Sequence, residues 1–146
     1  MNFEELMLRA VTNAETFKYT AKPNPVVGAI LCNDNEIISE GYHEIYGSNH
    51  AEINAISNAR KHQGKKFNNF SELALVCTLE PCSHVGKTGS CAEQIVETGI
   101  KKVVIGSIDP NPKVAGKGIE ILKKNGIDVT VGIHEDIVKN QNKYFF

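Results

Sequence analysis

The sequence lacks an excess of positive charge, a long apolar run and an internal repeat. Its 146 residues contain 16 Lys and Arg against 17 Asp and Glu, and a net charge of −1 gives no electrostatic reason to expect nucleic acid or an anionic membrane as a partner. No stretch approaches the roughly 18 apolar residues of a transmembrane helix. The opening segment MNFEELMLRA has early acidic residues in place of the apolar core of a signal peptide. We therefore expect one globular domain over residues 1–146, in the cytoplasm.

Cysteine is also scarce, with four in the chain. Cytoplasmic thiols stay reduced, so metal binding, catalysis or burial explains them better than disulfide bonds do. Cys32 and Cys77 lie in the apolar segments VVGAILC and LALVCTL, where a free cysteine behaves as a small hydrophobic residue. Cys82 and Cys91 lie instead in the polar, glycine-containing segment TLEPCSHVGKTGSC. The sequence predicts core packing for the first pair and chemistry for the second.

Apolar periodicity predicts alternating strands and helices. Helical spacing is expected at 3–18, 50–62, 91–99 and 116–126, with a short helix near the end, and strands are expected at 26–32, 36–42, 73–79, 101–107 and 127–133. The first two strands flank an NDN turn and form a hairpin, whereas the later strands alternate with helices and should run parallel through right-handed crossovers. We expect an α/β fold with a mixed five-stranded sheet and helices on both faces.

Two short motifs carry donor atoms for a metal ion. HAE at 50–52 should begin a helix, a Pro-Cys pair at 81–82 follows a predicted buried strand, and Cys91 opens the next predicted helix. One imidazole and two thiolates suit Zn²⁺, with the fourth position left to a water as in catalytic sites. Zinc lowers the pKa of such a water from 15.7 to about 7, and Glu52 is placed to move its proton. His84 would fill the water's position and is not expected to be a ligand.

The joint context of these motifs matters more than any one of them. Each arises often by chance, and His50 alone is more simply an ordinary histidine at a helix start. The order H-x-E followed by P-C-x-x-C is typical of zinc deaminases, although eight residues separate the two cysteines here. A helix N-terminus lowers the pKa of a thiol and so favours a thiolate ligand at Cys91. Together the motifs indicate a catalytic zinc site.

Four segments resemble the pyrimidine deaminases of riboflavin biosynthesis: PNPVVGAI, HAE, TLEPCSHVGKTGSC and DPNPKVAGKGI, in that order and spacing. The resemblance covers nearly the whole chain and implies a three-layer α/β/α cytidine-deaminase-like fold with Zn²⁺ as cofactor. It implies hydrolytic deamination of a phosphorylated pyrimidine, 2,5-diamino-6-ribosylamino-4(3H)-pyrimidinone 5′-phosphate, to 5-amino-6-(5-phosphoribosylamino)uracil and ammonia. Such deaminases are usually half of a bifunctional deaminase/reductase. The resemblance therefore also implies a fused or separate reductase and a homo-oligomer, and we expect no reductase domain within residues 1–146.

The resemblance assigns roles by matching position. It implies zinc ligands at His50, Cys82 and Cys91, and a proton shuttle at Glu52. The implied substrate contacts are Asn24, His43, Lys87, Thr88, Asp109 and Asn111. One departure lies at Gly89-Ser90, where the family commonly has two prolines, and it predicts a more flexible loop before the last cysteine.

Some of the substrate contacts can also be argued from the residues themselves. Asn24 and Asn111 each lie between two prolines, which stiffen the backbone and hold the amide ready for a base or a ribose. Asp109 follows a predicted parallel strand, at the sheet edge where α/β proteins bind ligands. Lys87 lies in a glycine-flanked loop from which it can reach a phosphate. The simpler alternatives are two tight turns and a solvated surface lysine.

Two other functions stay open at this point. A zinc deaminase of another nucleobase or nucleoside, or of transfer RNA, would keep the same motifs, although the charge balance and the long cysteine interval disfavour the RNA substrate. A non-enzymatic module with structural zinc would not need Glu52.

Overall fold

The computed structural model describes residues 2–22, 25–44, 49–63, 70–83 and 90–143. Its helices are α1 (Phe3–Ala14), α2 (Ala51–Gln63), α3 (Cys91–Thr98), α4 (Lys117–Lys124) and α5 (Glu135–Gln141). Its strands are β1 (Gly28–Cys32), β2 (Ile37–Tyr42), β3 (Ala74–Leu79), β4 (Lys102–Ser107) and β5 (Asp128–Val131). Among these helices none has the length and apolar character needed to cross a membrane.

The five strands form one mixed sheet in the order β2-β1-β3-β4-β5. β1 runs antiparallel to β2 and to β3, whereas β3, β4 and β5 are parallel neighbours. The predicted hairpin and the predicted parallel half are therefore both confirmed. The antiparallel pairing of β1 with β3 joins the two halves into one sheet.

Helices cover both faces of this sheet, as the sequence predicts. Alternate strand residues point to opposite faces: Leu75 and Val103 belong to the core under α2, α3 and α4, while Val76 and Val104 belong to the core under α1. Cys77 lies in the first of these cores and Cys32 in the second, so the predicted core packing of both cysteines is confirmed.

Element ends differ from the prediction by a few residues. The helix predicted to reach residue 18 ends at Ala14 and tightens into a 3₁₀ turn over Glu15–Phe17, a common way for a helix to end. A register shift between Leu31 and Cys32 lets Ile37 begin β2. β5 ends at Val131 because Gly132 takes a left-handed backbone, with φ of 104°. Each helix and strand that the sequence predicts is nevertheless present.

The end of α5 is tied to the segment that leads into β1. Asn142 is fully buried, and its Oδ1 accepts a hydrogen bond of 2.7 Å from Val26 N while its Nδ2 donates one of 3.1 Å to Val26 O. The side-chain amide therefore pairs with Val26 as a neighbouring strand would. Gln141 Nε2 donates to Val11 O at 2.8 Å and fixes the same turn against α1.

Candidate active site

The structure brings the predicted HAE motif and the two predicted cysteines together at one end of the sheet. His50 precedes α2, Cys82 follows β3, and Cys91 is the first residue of α3. One donor atom from each, a ring nitrogen or a sulfur, lies within 4.8 Å of the other two, and His50 Nδ1 is 3.2 Å from Cys91 Sγ. Glu52, in the first turn of α2, is almost completely buried beside them. Three separate segments thus supply one compact cluster.

Polar side chains fasten α2 to β2 and so position His50 and Glu52. Asn54 Nδ2 donates to Tyr42 O at 2.7 Å, and Asn58 Nδ2 donates to Glu40 O at 2.8 Å. From the strand, Ser39 Oγ donates to Ala55 O at 2.7 Å. Gly41 permits the close approach, because a Cβ there would collide with the backbone of α2. The start of α2 therefore has little freedom to shift.

The two cysteines are held by the start of α3. Cys91 N donates to Cys82 Sγ at 3.3 Å, and Ala92 N donates to Cys82 O at 3.1 Å. Ser90 is fully buried and caps the helix, its Oγ accepting a hydrogen bond of 3.1 Å from Glu93 N. Gly89, the other residue of the Gly-Ser departure, lies outside the described residues. Serine at position 90 supplies a hydroxyl oxygen that caps the helix, whereas the hydrocarbon ring of proline has no such acceptor.

We expect Ser90→Ala to lower the free energy of unfolding by about 1 kcal/mol, because an N-cap hydroxyl is lost. Fraying of the first turn of α3 would also move Cys91, so zinc should be released to a chelator faster than from the unchanged protein. Urea unfolding and chelator-release kinetics measure the two effects. Ser57→Ala, which removes a hydroxyl from the interior of α2, is the control and should leave zinc release unchanged. Equal release rates for Ser90→Ala and the unchanged protein would contradict this role.

The electrostatics of the cluster suit a cation. The thiol of Cys91 donates a hydrogen bond to the sulfur of Cys82, which lowers the pKa of Cys82 and raises that of Cys91. Of the two thiols, Cys82 is therefore the one that gives up its proton more readily. Burial raises the pKa of Glu52 to about 7, although the nearby His50 imidazole lowers it. A carboxyl group that titrates near neutrality is able both to accept and to return a proton.

The cluster fits Zn²⁺ by donor type and by distance. Imidazole nitrogen and thiolate sulfur are the donors that zinc prefers, at about 2.0–2.3 Å from the ion. Donors bound to one tetrahedral ion lie a little under 4 Å apart, and the 4.8 Å limit and the 3.2 Å separation seen here are compatible with that. Within the part of the chain that the structure describes, the group has three members, which leaves a fourth position for water. His84 lies outside that part.

A cavity of about 510 Å³ opens above the cluster. Its floor contains Glu52 and Cys82, and Leu79 and Val27 supply apolar walls. Of the predicted substrate contacts, the described ones all line this cavity: His43, Asp109 and Asn111. Asn24, Lys87 and Thr88 fall outside the described residues and stay predictions. The volume and the mixture of apolar wall and polar floor are those of a small-molecule site.

His43 lies deep in the cavity, against His50. The two rings meet edge to face with centroids 5.5 Å apart, and His43 is nearly fully buried. Its Nδ1 lies 3.2 Å from the carbonyl oxygen of Asn49, so this nitrogen carries the proton and donates. The Nε2 of a neutral His43 is then an acceptor.

One residue of the cavity wall was missed by sequence reasoning. Glu80 lies between β3 and Cys82, and its carboxylate accepts hydrogen bonds from four backbone amides: Asp109, Gly116, Gly118 and Ile119. Its partners are main-chain groups far along the chain, which no spacing of side chains reveals. The only signal was an acidic residue directly after a buried strand.

Comparison with known proteins also indicates a zinc-binding deaminase. The family described as "Cytidine and deoxycytidylate deaminase zinc-binding region" matches residues 1–107. A diaminohydroxyphosphoribosylamino-pyrimidine deaminase from Buchnera aphidicola (subsp. Schizaphis graminum) is 44% identical over 140 residues, covering 96% of this chain and 90% of that protein. Riboflavin biosynthesis protein RibD of Escherichia coli is 39% identical over 145 residues, which cover 99% of this chain and 38% of the longer protein.

A solved structure extends this likeness to the fold. It is the Thermotoga maritima diaminohydroxyphosphoribosylaminopyrimidine deaminase/5-amino-6-(5-phosphoribosylamino)uracil reductase, which is 43% identical with a TM-score of 0.87 and covers 98% of this chain and 40% of that one. The chain thus spans nearly all of the Buchnera relative and about two fifths of the larger proteins. It belongs to the zinc-binding cytidine and deoxycytidylate deaminase family, and within that family to the pyrimidine deaminases of riboflavin biosynthesis.

Proposed function

We propose that this chain hydrolyses the 2-amino group of 2,5-diamino-6-ribosylamino-4(3H)-pyrimidinone 5′-phosphate, yielding 5-amino-6-(5-phosphoribosylamino)uracil and ammonia. The observation that carries the proposal is the buried Glu52 beside a His-Cys-Cys group on the floor of an open cavity. Family membership supports the choice of a pyrimidine ribotide, because the Buchnera relative is named for that substrate class.

His50, Cys82 and Cys91 would hold Zn²⁺, each through one donor atom. When bound, zinc activates a water molecule for attack near neutral pH. The carboxylate of Glu52 takes a proton from the attacking water, since burial keeps its affinity for protons high. The carboxyl passes this proton to the ring nitrogen as the water oxygen bonds to the ring carbon. It then takes the second proton from the hydroxyl now on that carbon and gives it to the amine, so that the C–N bond breaks, ammonia leaves and a carbonyl is formed.

The loop after β4 presents polar groups to the substrate. Asp109 Oδ1 accepts from Asn111 N at 2.9 Å, and Asn111 Oδ1 accepts from Lys113 N at 3.0 Å. Among the described residues, these bonds leave the second carboxylate oxygen of Asp109 and the amide nitrogen of Asn111 for a ligand. We propose that they contact the pyrimidine or the ribose, together with His43. We assign Asn24, Lys87 and Thr88 to the substrate by family position.

Ammonia release from the diaminopyrimidine ribotide tests this function. We expect turnover of the ribotide by the zinc-loaded protein, with cytidine, guanine and transfer RNA neither deaminated nor able to compete. A coupled ammonia assay and mass analysis of the product provide the measurement. Deamination of cytidine, guanine or transfer RNA in place of the ribotide would assign another substrate to the same site, and absence of deamination with tightly held zinc would favour a structural module.

We also propose that a reductase acts on the product, either fused or as a separate chain. The printed name of the Thermotoga relative includes such a reductase, and that protein is longer than this chain.

A further inference from the structure

We propose that Glu80 is the positioning residue for the wall of the cavity that holds Asp109 and Asn111. It acts through the backbone of the segment 109–119, and it does not touch the substrate. This inference rests on the proposed function, because it concerns how that substrate is held. Glu80 would thus affect how tightly the substrate binds, whereas Cys82, two residues later, would hold the zinc.

The carboxylate of Glu80 joins two elements that are distant in sequence. Oε1 accepts hydrogen bonds of 3.0 Å from Asp109 N and from Gly116 N, and Oε2 accepts bonds of 2.9 Å from Gly118 N and 3.2 Å from Ile119 N. The first two amides lie at the two ends of the loop that includes Asn111. The other two lie in the first turn of α4. One side chain therefore sets both the span of the loop and its height above the sheet.

The start of α4 has no cap of its own, which explains why a charged partner is needed. The N-cap is Gly116, with a left-handed φ of 82°, and glycine has no side chain to accept from the first amides. Glu80 supplies a negative charge and both acceptors to this end of the helix dipole. Gly118 lets the two segments touch, because a Cβ there would collide with the carbonyl oxygen of Pro81.

The same geometry leaves Glu80 unable to bind substrate. A carboxylate has about four lone-pair sites, two on each oxygen. Each oxygen of Glu80 already accepts two backbone hydrogen bonds, and the residue is only 8% exposed. Its backbone is fixed as well, since Glu80 N donates to Ser107 O at 2.9 Å at the end of β4. The strand ends are the rigid base from which the carboxylate holds the loop.

Glu80→Gln tests the proposal, because the amide keeps the shape and loses one acceptor oxygen and the charge. We expect KM for the ribotide to rise about tenfold, the equivalent of about 1.4 kcal/mol, while kcat changes less than about threefold and zinc content is unchanged. Glu120→Gln removes an exposed carboxylate from the same helix turn and should leave both constants unchanged. An unchanged KM in Glu80→Gln, or loss of its zinc, would overturn the proposal.

A double-mutant cycle with Asn111→Ala separates positioning from general destabilisation. If Glu80 acts through the loop, Glu80→Gln should raise KM less in the Asn111→Ala background than in the unchanged protein, because of the two proposed contacts in the loop only Asp109 is then left to displace. The full effect in both backgrounds would overturn the proposal. In the unchanged protein, the amides of Gly116 and Gly118 should exchange slowly with deuterium, and fast exchange would refute the carboxylate contacts even if Glu80→Gln does not fold. Failure of the unchanged protein to turn over the ribotide would refute the proposed function instead. The exchange rates would still test the hydrogen bonds from the backbone amides to the Glu80 carboxylate.

Discussion

Glu52→Gln should reduce kcat for ammonia release by about 10³-fold or more while the protein keeps its zinc. Glutamine has nearly the same shape as glutamate, but its amide can neither accept a proton from water nor return one to the departing amine. Burial also prevents another base from replacing Glu52, because its 3% exposure leaves little access for buffer molecules. Steady-state kinetics with the ribotide, with zinc measured on the same preparation, gives the comparison.

The control for this change is Glu93→Gln. Glu93 lies in the first turn of α3 and is exposed, so its loss removes the same charge near the site without touching the cavity. We expect Glu93→Gln to keep its kcat within about twofold. If Glu52→Gln retained full turnover, proton transfer by this residue would be disproved. Loss of zinc from Glu52→Gln would instead show that the carboxylate supports the metal.

Replacement of either Cys82 or Cys91 by alanine should remove both the metal and the activity. Two remaining donors do not hold zinc tightly in competition with a chelator, and zinc content should fall from about one ion per chain to about a tenth of that. Stability should fall too, since a metal that binds only the folded chain stabilises it. Elemental analysis after chelator dialysis and thermal unfolding, each with and without added zinc, measure the two effects.

Cys32→Ala provides a matched control, because it also removes a buried thiol. Cys32 packs in the core on the α1 face of the sheet, away from the cluster. It should lose about 1 kcal/mol of stability through the cavity it leaves and keep its zinc and its turnover. Retention of zinc by Cys82→Ala or Cys91→Ala would disprove the proposed ligand set, and loss of zinc from Cys32→Ala would show that the assay detects unfolding.

The helices and strands were predictable because they depend on local patterns in the sequence. Helical spacing in the first segment and glycines after α3 and α4 give the elements and most of their ends, because these depend on neighbours in sequence. The strand order does not follow from such patterns. The antiparallel pairing of Ala29 with Cys77 and of Leu31 with Leu75 joins segments with a whole helix between them, and local periodicity carries no information on that partner.

The residues of the site likewise fall into those that the sequence predicts and those that it does not. His50, Glu52, Cys82 and Cys91 carry chemistry in their side chains. Their types, at two helix starts and after a buried strand, already indicated a metal site. Glu80 and Asn142 carry no such signal, because each bonds to backbone groups that every residue possesses. Their importance depends on three-dimensional placement alone.

The two hydrogen bonds between Asn142 and Val26 connect the end of the last helix to the cavity. Pro25 and Val27 line the cavity, and the residue between them takes both of its backbone hydrogen bonds from the turn after α5. Removal of Asn142 would therefore loosen Pro25 and Val27 on one side of the cavity, although Asn142 itself carries no catalytic group. For circular permutation or domain insertion, the last helix therefore belongs with the catalytic end of the sheet.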